Sequence, residues 1–184
     1  MALKTFVKVG NITNLSDARY CAGMGVDLLG FSVVEGQPQF IESKLFQEIR
    51  GWVTGPSVVA EIYGLQHASD LDKILENYKP DYLEMGAAEL ALFDSLPLPF
   101  IVSVRENDEL PNLPLHPSYV IQHGQNVNPS AYPTLLVLES KEDLNVLLDN
   151  PHVKGVVLNG TAEIKPGLKD FEAMADILEQ LEVD

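Results

Sequence analysis

Lys8-Val9-Gly10-Asn11-Ile12-Thr13-Asn14-Leu15-Ser16-Asp17-Ala18, followed by Gly25-Val26-Asp27-Leu28-Leu29-Gly30-Phe31, reads as one repeating unit. An apolar strand leads to a helix capped by Asn14, and a second apolar strand follows. The same rhythm continues down the chain. Candidate strands are Phe6–Val9, Asp27–Val33, Ser57–Ile62, Asp81–Met85, Phe100–Val104, Tyr119–Gln122, Leu135–Leu138 and Gly155–Leu158. Candidate helices open at Asn14, Ser43, Ser69 and Lys141, with others near Ala88 and Asp170. Leu71, Ile74, Leu75 and Tyr78 recur at helical spacing, as do Phe171, Met174, Ile177, Leu178 and Leu181, which predicts amphipathic outer helices. The strands are near-continuous apolar runs, expected where helices cover one face and a packed interior the other. Alternation of this kind marks a parallel α/β fold. Eight units predict a (β/α)8 barrel in a single domain, 1–184; an open doubly wound sheet of fewer strands is the rival topology.

The chain has 184 residues, and eight units usually need about 200 or more. The shortening is visible after the fifth strand candidate, where Pro111, Pro114 and Pro117 between Arg105 and Ser118 exclude a regular helix. The helix between strands five and six is therefore expected to be absent or reduced. His123–Pro133 holds two more prolines, Pro129 and Pro133, and predicts a second irregular connection.

With 46% hydrophobic and 21% charged residues the chain can bury a core, and disorder is excluded. Its net charge of −15 repels phosphate backbones and anionic head groups, so no nucleic acid and no membrane surface is expected as a partner. No apolar run approaches the ~20 residues of a spanning helix. The single cysteine, Cys21, fits a reducing compartment, and a cytoplasmic location is expected. His67, His116, His123 and His152 lack metal-ligand spacing, so neither a metal nor a cofactor is expected.

The opening Lys8-Val9-Gly10-Asn11-Ile12-Thr13, the Asp17-Ala18 of the helix and Gly25–Phe31 resemble the start of the phosphoribosylanthranilate isomerase family. Gly155-Val156-Val157-Leu158-Asn159-Gly160-Thr161-Ala162-Glu163, then Lys165-Pro166-Gly167-Leu168-Lys169-Asp170, resembles that family's C-terminal motif. The middle of the chain matches in rhythm only. The resemblance implies a TIM barrel and an Amadori-type isomerisation in tryptophan biosynthesis. It also implies ligand contacts at Asn11, Gln39, Arg105, Asn159, Gly160 and Thr161, the last three through backbone amides able to hold a phosphate.

Four departures from the family pattern stand together. Gly10 occupies the position of the family's general-base cysteine, and Gln122 the expected position of its general-acid aspartate. Gln39 replaces the substrate-contacting arginine, and Glu139-Ser140-Lys141 replaces the glycines that help hold the phosphate. Proton transfer groups each contribute typically ~10²–10⁴-fold. Losing both predicts a barrel that is no longer an active isomerase, a pseudoenzyme that binds a small phosphorylated or anionic metabolite, or a protein partner or second copy as a homodimer. The alternatives are an active phosphoribosylanthranilate isomerase using His123 and Glu84 as substitutes, and an interaction domain without a small ligand.

Lys8, Glu61 and Glu84 interrupt apolar strands. Buried charge is costly unless paired, so the three are expected to meet inside the barrel as an ion pair or polar layer. A carboxylate pair serving a ligand is the functional alternative. Cys21 is expected to be an ordinary helix cysteine, in the core or partly exposed, remote in sequence from the strand ends. Arg105 and Glu139 end strands five and seven, at the expected mouth.

Overall fold

The computed structural model describes residues 2–105, 115–124, 127–138, 144, 149–160, 163–165, 168–169 and 172–183. Eight parallel strands close into a barrel: β1 (Phe6–Gly10), β2 (Leu28–Ser32), β3 (Ser57–Glu61), β4 (Tyr82–Gly86), β5 (Phe100–Val104), β6 (Tyr119–Gln122), β7 (Thr134–Val137) and β8 (Val153–Asn159). β8 returns to β1 with Phe6 opposite Gly155 and Gly10 opposite Asn159, which closes the ring and leaves it without an edge. The predicted (β/α)8 barrel is the observed fold, and the open sheet is excluded.

Helices cover the outside where the sequence has helical spacing: α1 (Leu15–Gly23), α2 (Ser43–Trp52), α3 (Asp70–Tyr78) and α5 (Glu172–Leu181), with a single turn α4 (Ala87–Leu90). Asn14 caps α1 as expected, its side chain accepting from the Asp17 amide at 2.9 Å. Ser43 is instead the first residue of its helix, and Glu42 precedes it as the cap residue. α3 turns Leu71, Ile74 and Tyr78 inward; burial of such side chains contributes about 1.5–3 kcal/mol each. The Tyr78 hydroxyl donates to the Ile41 carbonyl at 2.7 Å, and Arg50 of α2 donates to the Tyr78 and Lys79 carbonyls that end α3.

Residues paired across parallel strands share a face, so the register identifies the barrel interior. Leu28, Val59, Ile101, Ile121, Leu135 and Val157 fill its middle, with Phe6 stacked on Tyr119 at 5.0 Å toward the strand starts. Below them the same device recurs twice. Asp27, just before β2, accepts the Val7 amide at 2.8 Å, and Asp81, just before β4, accepts the Val58 amide at 2.8 Å. Each carboxylate satisfies a backbone donor at the start of the preceding strand.

Two elements differ from expectation. An antiparallel pair, β9 (Glu163–Lys165) and β10 (Leu168–Lys169), follows β8 where only the approach to a helix was read. The connection after β5 is described only over Leu115–Ser118, which is not helical; Pro111 and Pro114 lie outside the described residues, as do Glu139, Ser140, Lys141, Asp170 and Phe171. No helix among the described residues is long and apolar enough to cross a membrane.

Candidate functional site

Above its apolar middle the barrel interior turns polar, at Lys8 and Glu84 midway along their strands and at Glu61 at the end of β3. Lys8 on β1 lies 2.9 Å from Glu61 Oε1 on β3 and 2.7 Å from Glu84 Oε2 on β4. Exposures of 1%, 3% and 4% place all three inside the protein. One cation thus bridges two carboxylates in a low-dielectric setting. Burial alone would lower the Lys8 pKa, but the two carboxylates outweigh it and hold the ammonium charged well above the ordinary lysine value. Burial raises the Glu61 pKa; Lys8 opposes that rise and Glu84 adds to it.

Two glycines make the arrangement possible. A Cβ on Gly10 would lie 2.6 Å from Glu61 Oε1 and 2.9 Å from Lys8 Nζ, and a Cβ on Gly30 would lie 2.1 Å from the same oxygen. The Glu61 carboxylate fills the space that side chains at positions 10 and 30 would enter, and the Asn11 amide donates to both its oxygens at 3.3 and 3.2 Å.

Above this floor opens a cavity of about 1090 Å³ whose walls are the C-terminal strand ends. Of the residues selected from sequence, Asn11, Glu84, Arg105, His123 and Asn159 line it, and Asn11 Nδ2 donates to Asn159 Oδ1 at 3.2 Å. Asn11 holds a left-handed backbone, φ 56°, which turns the chain sharply out of β1.

Three other selections are corrected. Gln39 is exposed on the β2–α2 connection with φ 61°, and Gln37 lines the cavity in its stead. The Gly160 amide donates to the Gly10 carbonyl at 2.7 Å and so is not offered to a phosphate; Thr161 lies outside the described residues.

Gln122 is the third. Along β6 the interior positions are Tyr119 and Ile121, so Gln122 faces outward and the next mouth-facing residue is His123. The Gln122 amide clamps the following connection, donating to the Asn128 carbonyl at 2.9 Å and accepting from its amide at 2.8 Å. Gln122→Ala should lower stability by about 1–2 kcal/mol in urea unfolding, since both Asn128 groups lose their partner. An unchanged midpoint would show the clamp to be idle.

Sequence reading passed over Tyr63, Ser103 and Glu89, which also line the cavity. The Tyr63 hydroxyl donates to Glu84 Oε1 at 2.7 Å. Burial, then the Glu84 carboxylate, push the Tyr63 hydroxyl well above its ordinary pKa, so it stays a donor. Ser103 Oγ is 2.9 Å from His123 Nε2. Glu89, on the single turn α4, accepts the Gly64 amide at 2.8 Å and the Gly86 amide at 3.0 Å. Tyr63 follows a strand and Glu89 sits on a one-turn helix, so neither carries a periodic signal. Cys21 is buried against Met174, Sγ to Sδ 3.9 Å, its thiol pushed up to about 12 by burial and by Asp17. It is remote from the mouth, as expected.

No family profile matches the chain, and no curated protein matches it in sequence. Solved structures do resemble it along its whole length. Phosphoribosylanthranilate isomerase of Thermus thermophilus is 17% identical, with 96% of this chain and 98% of that one covered and a TM-score of 0.76. Monomers generated from the dimeric enzyme of Thermotoga maritima give 15% identity, 96% and 98% coverage and a TM-score of 0.73. A phosphoribosylanthranilate isomerase in complex with reduced 1-(o-carboxyphenylamino)-1-deoxyribulose 5-phosphate gives 16%, 95% and 97%, and 0.72. The chain shares the (β/α)8 barrel of these isomerases.

Proposed function

We propose that this chain is a divergent relative of phosphoribosylanthranilate isomerase, one cytoplasmic domain over 1–184, whose mouth binds a small metabolite without catalysing that isomerisation. The observation that carries this reading is the Glu61 carboxylate, 2.6 Å from where a side chain at position 10 would begin. In the family pattern a cysteine stands there as general base. Here the position has no side chain, and the adjacent volume belongs to a carboxylate tied to Lys8 and the Asn11 amide.

The end of β6 supports the same conclusion: Gln122 faces away from the cavity, and the residue that reaches the mouth is His123, not an aspartate. The cavity itself remains, with about 1090 Å³ of space and polar groups converging on it, as in a small-molecule site. Purified protein should show no conversion of phosphoribosylanthranilate above background, and its gene should not restore growth to a tryptophan auxotroph lacking the isomerase. Turnover lost on His123→Ala would overturn this reading in favour of an isomerase with substitute residues.

A further inference from the structure

The mouth has two unlike sides. Toward β3 and β4 its charges are matched within the chain, Glu61 and Glu84 to Lys8, and Glu89 to the Gly64 and Gly86 amides. Toward β5 and β6 stands Arg105, an exposed cation that lines the cavity and pairs with no carboxylate among the described residues.

Register gathers further donors beside it. Ile101, Ser103 and Arg105 alternate along the face of β5 that looks into the barrel. Val104 stands opposite Gln122, so the next pair up, Arg105 and His123, leave adjacent strands roughly 5 Å apart. Ser103 Oγ lies 2.9 Å from His123 Nε2, and among the described residues the other ring nitrogen has no hydrogen-bond partner. Ile121, Val137 and Val157, on β6, β7 and β8, continue the cavity as an apolar wall.

We propose that the β5–β6 side of the mouth is a carboxylate subsite, where Arg105 and His123 Nδ1 hold the acid group of a short aliphatic carboxylic acid whose body lies on Ile121, Val137 and Val157. The assignment deepens the metabolite reading above and rests on it. A guanidinium presents a planar fork that meets a carboxylate with two parallel bonds. The imidazole adds a third donor when its proton is on Nδ1, and Ser103 then donates to Nε2, so the bound acid selects the tautomer. A phosphate shares the anionic chemistry but carries more charge. Lys8 and Arg105 share the cavity with Glu61, Glu84 and Glu89, an excess of negative charge that repels a dianion more than a monoanion. The apolar wall suits a hydrocarbon body and gives the further oxygens of a phosphate no partner.

The arginines of the chain are Arg19, Arg50 and Arg105, few enough for each side-chain Nε–H to be followed by two-dimensional NMR. Sodium butyrate, exchanged for chloride at constant ionic strength, should shift the Arg105 Nε–H and the His123 ring resonances together and saturably, leaving Arg19 and Arg50 in place. Half-saturation is expected at about 1–10 mM, within the bound for so small a ligand. The ring nitrogen shifts of the bound form should report the Nδ1–H tautomer. Arg105→Gln should weaken half-saturation, read at His123, by at least about tenfold, as a charge-assisted pair is lost. No saturable shift with butyrate, equal shifts at Arg19, or an unchanged half-saturation in Arg105→Gln would each overturn the subsite. Inorganic phosphate should half-saturate at least about fivefold more weakly than butyrate; phosphate binding as tightly or more tightly would overturn the carboxylate assignment in favour of a phosphate ester. Isomerase turnover would overturn the preceding reading and leave these shifts as they are, whereas missing shifts without turnover would overturn the subsite alone.

Discussion

Lys8→Met should destabilise the protein by about 3–5 kcal/mol in urea unfolding at neutral pH, because it strands two carboxylates in the barrel interior. The wild-type cluster holds one ammonium between Glu61 and Glu84 at 2.9 and 2.7 Å. Both carboxylates sit at the cavity floor, only 3% and 4% exposed. Because Lys8 titrates above its unfolded value, it supports folding fully below about 10.4 and loses that support only as pH rises through its higher folded value.

The Glu61 pKa is also raised in the folded state, so protonation favours folding. Its support is full below the unfolded carboxylate value of about 4.3 and is lost as pH climbs through the folded value. Without Lys8 that folded value moves further up, since burial is no longer opposed. The cost of Lys8→Met should therefore shrink on acidification from neutral pH toward about 4.3. Equal costs at neutral and mildly acidic pH, or a cost under about 1 kcal/mol at both, would show that the cluster does not hold the interior together. Replacing all three residues by apolar ones should be far milder, because nothing charged is left behind.

Gly30→Ala should cost about 3 kcal/mol, the upper end of overpacking penalties, because the added methyl would meet atoms that have nowhere to go. Its Cβ would lie 2.1 Å from Glu61 Oε1 and 2.8 Å from Cδ, and the carboxylate is pinned by Lys8 and the Asn11 amide. In a Glu61→Ala background the same substitution should cost almost nothing, so a double-mutant cycle should return a coupling of about 1–3 kcal/mol. Additive effects would mean that Gly30 is required for another reason. Gly10→Cys belongs to the same set: a thiol introduced there would crowd Glu61, since a Cβ at that position lies 2.6 Å from its Oε1.

The eight strands were legible because each is a buried run of β-branched and aliphatic residues, and α3 and α5 because their apolar residues fall on one face. Lys8, Glu61 and Glu84 were legible for the opposite reason: charge inside an apolar run must find a partner. Gln122 was misread because motif alignment fixes sequence position but not facing. On β6 a shift of one residue exchanges cavity for outer shell, and so moves the mouth position to His123. The phosphate reading of Gly160 failed because its amide is consumed by the Gly10 carbonyl, a long-range partner no local motif displays. Tyr63 and Ser103 gain their places at the mouth only through partners distant in sequence, Glu84 and His123.

Glu89 fixes two connections at once, holding the Gly64 amide after β3 and the Gly86 amide at the end of β4. That side of the mouth has given up its conformational freedom before any ligand arrives. Ordering flexible loops normally consumes part of the free energy of association, so a rim fixed in advance lets more of each contact appear as affinity. Such a rim also discriminates by shape, refusing molecules to which a pliable loop would have adapted.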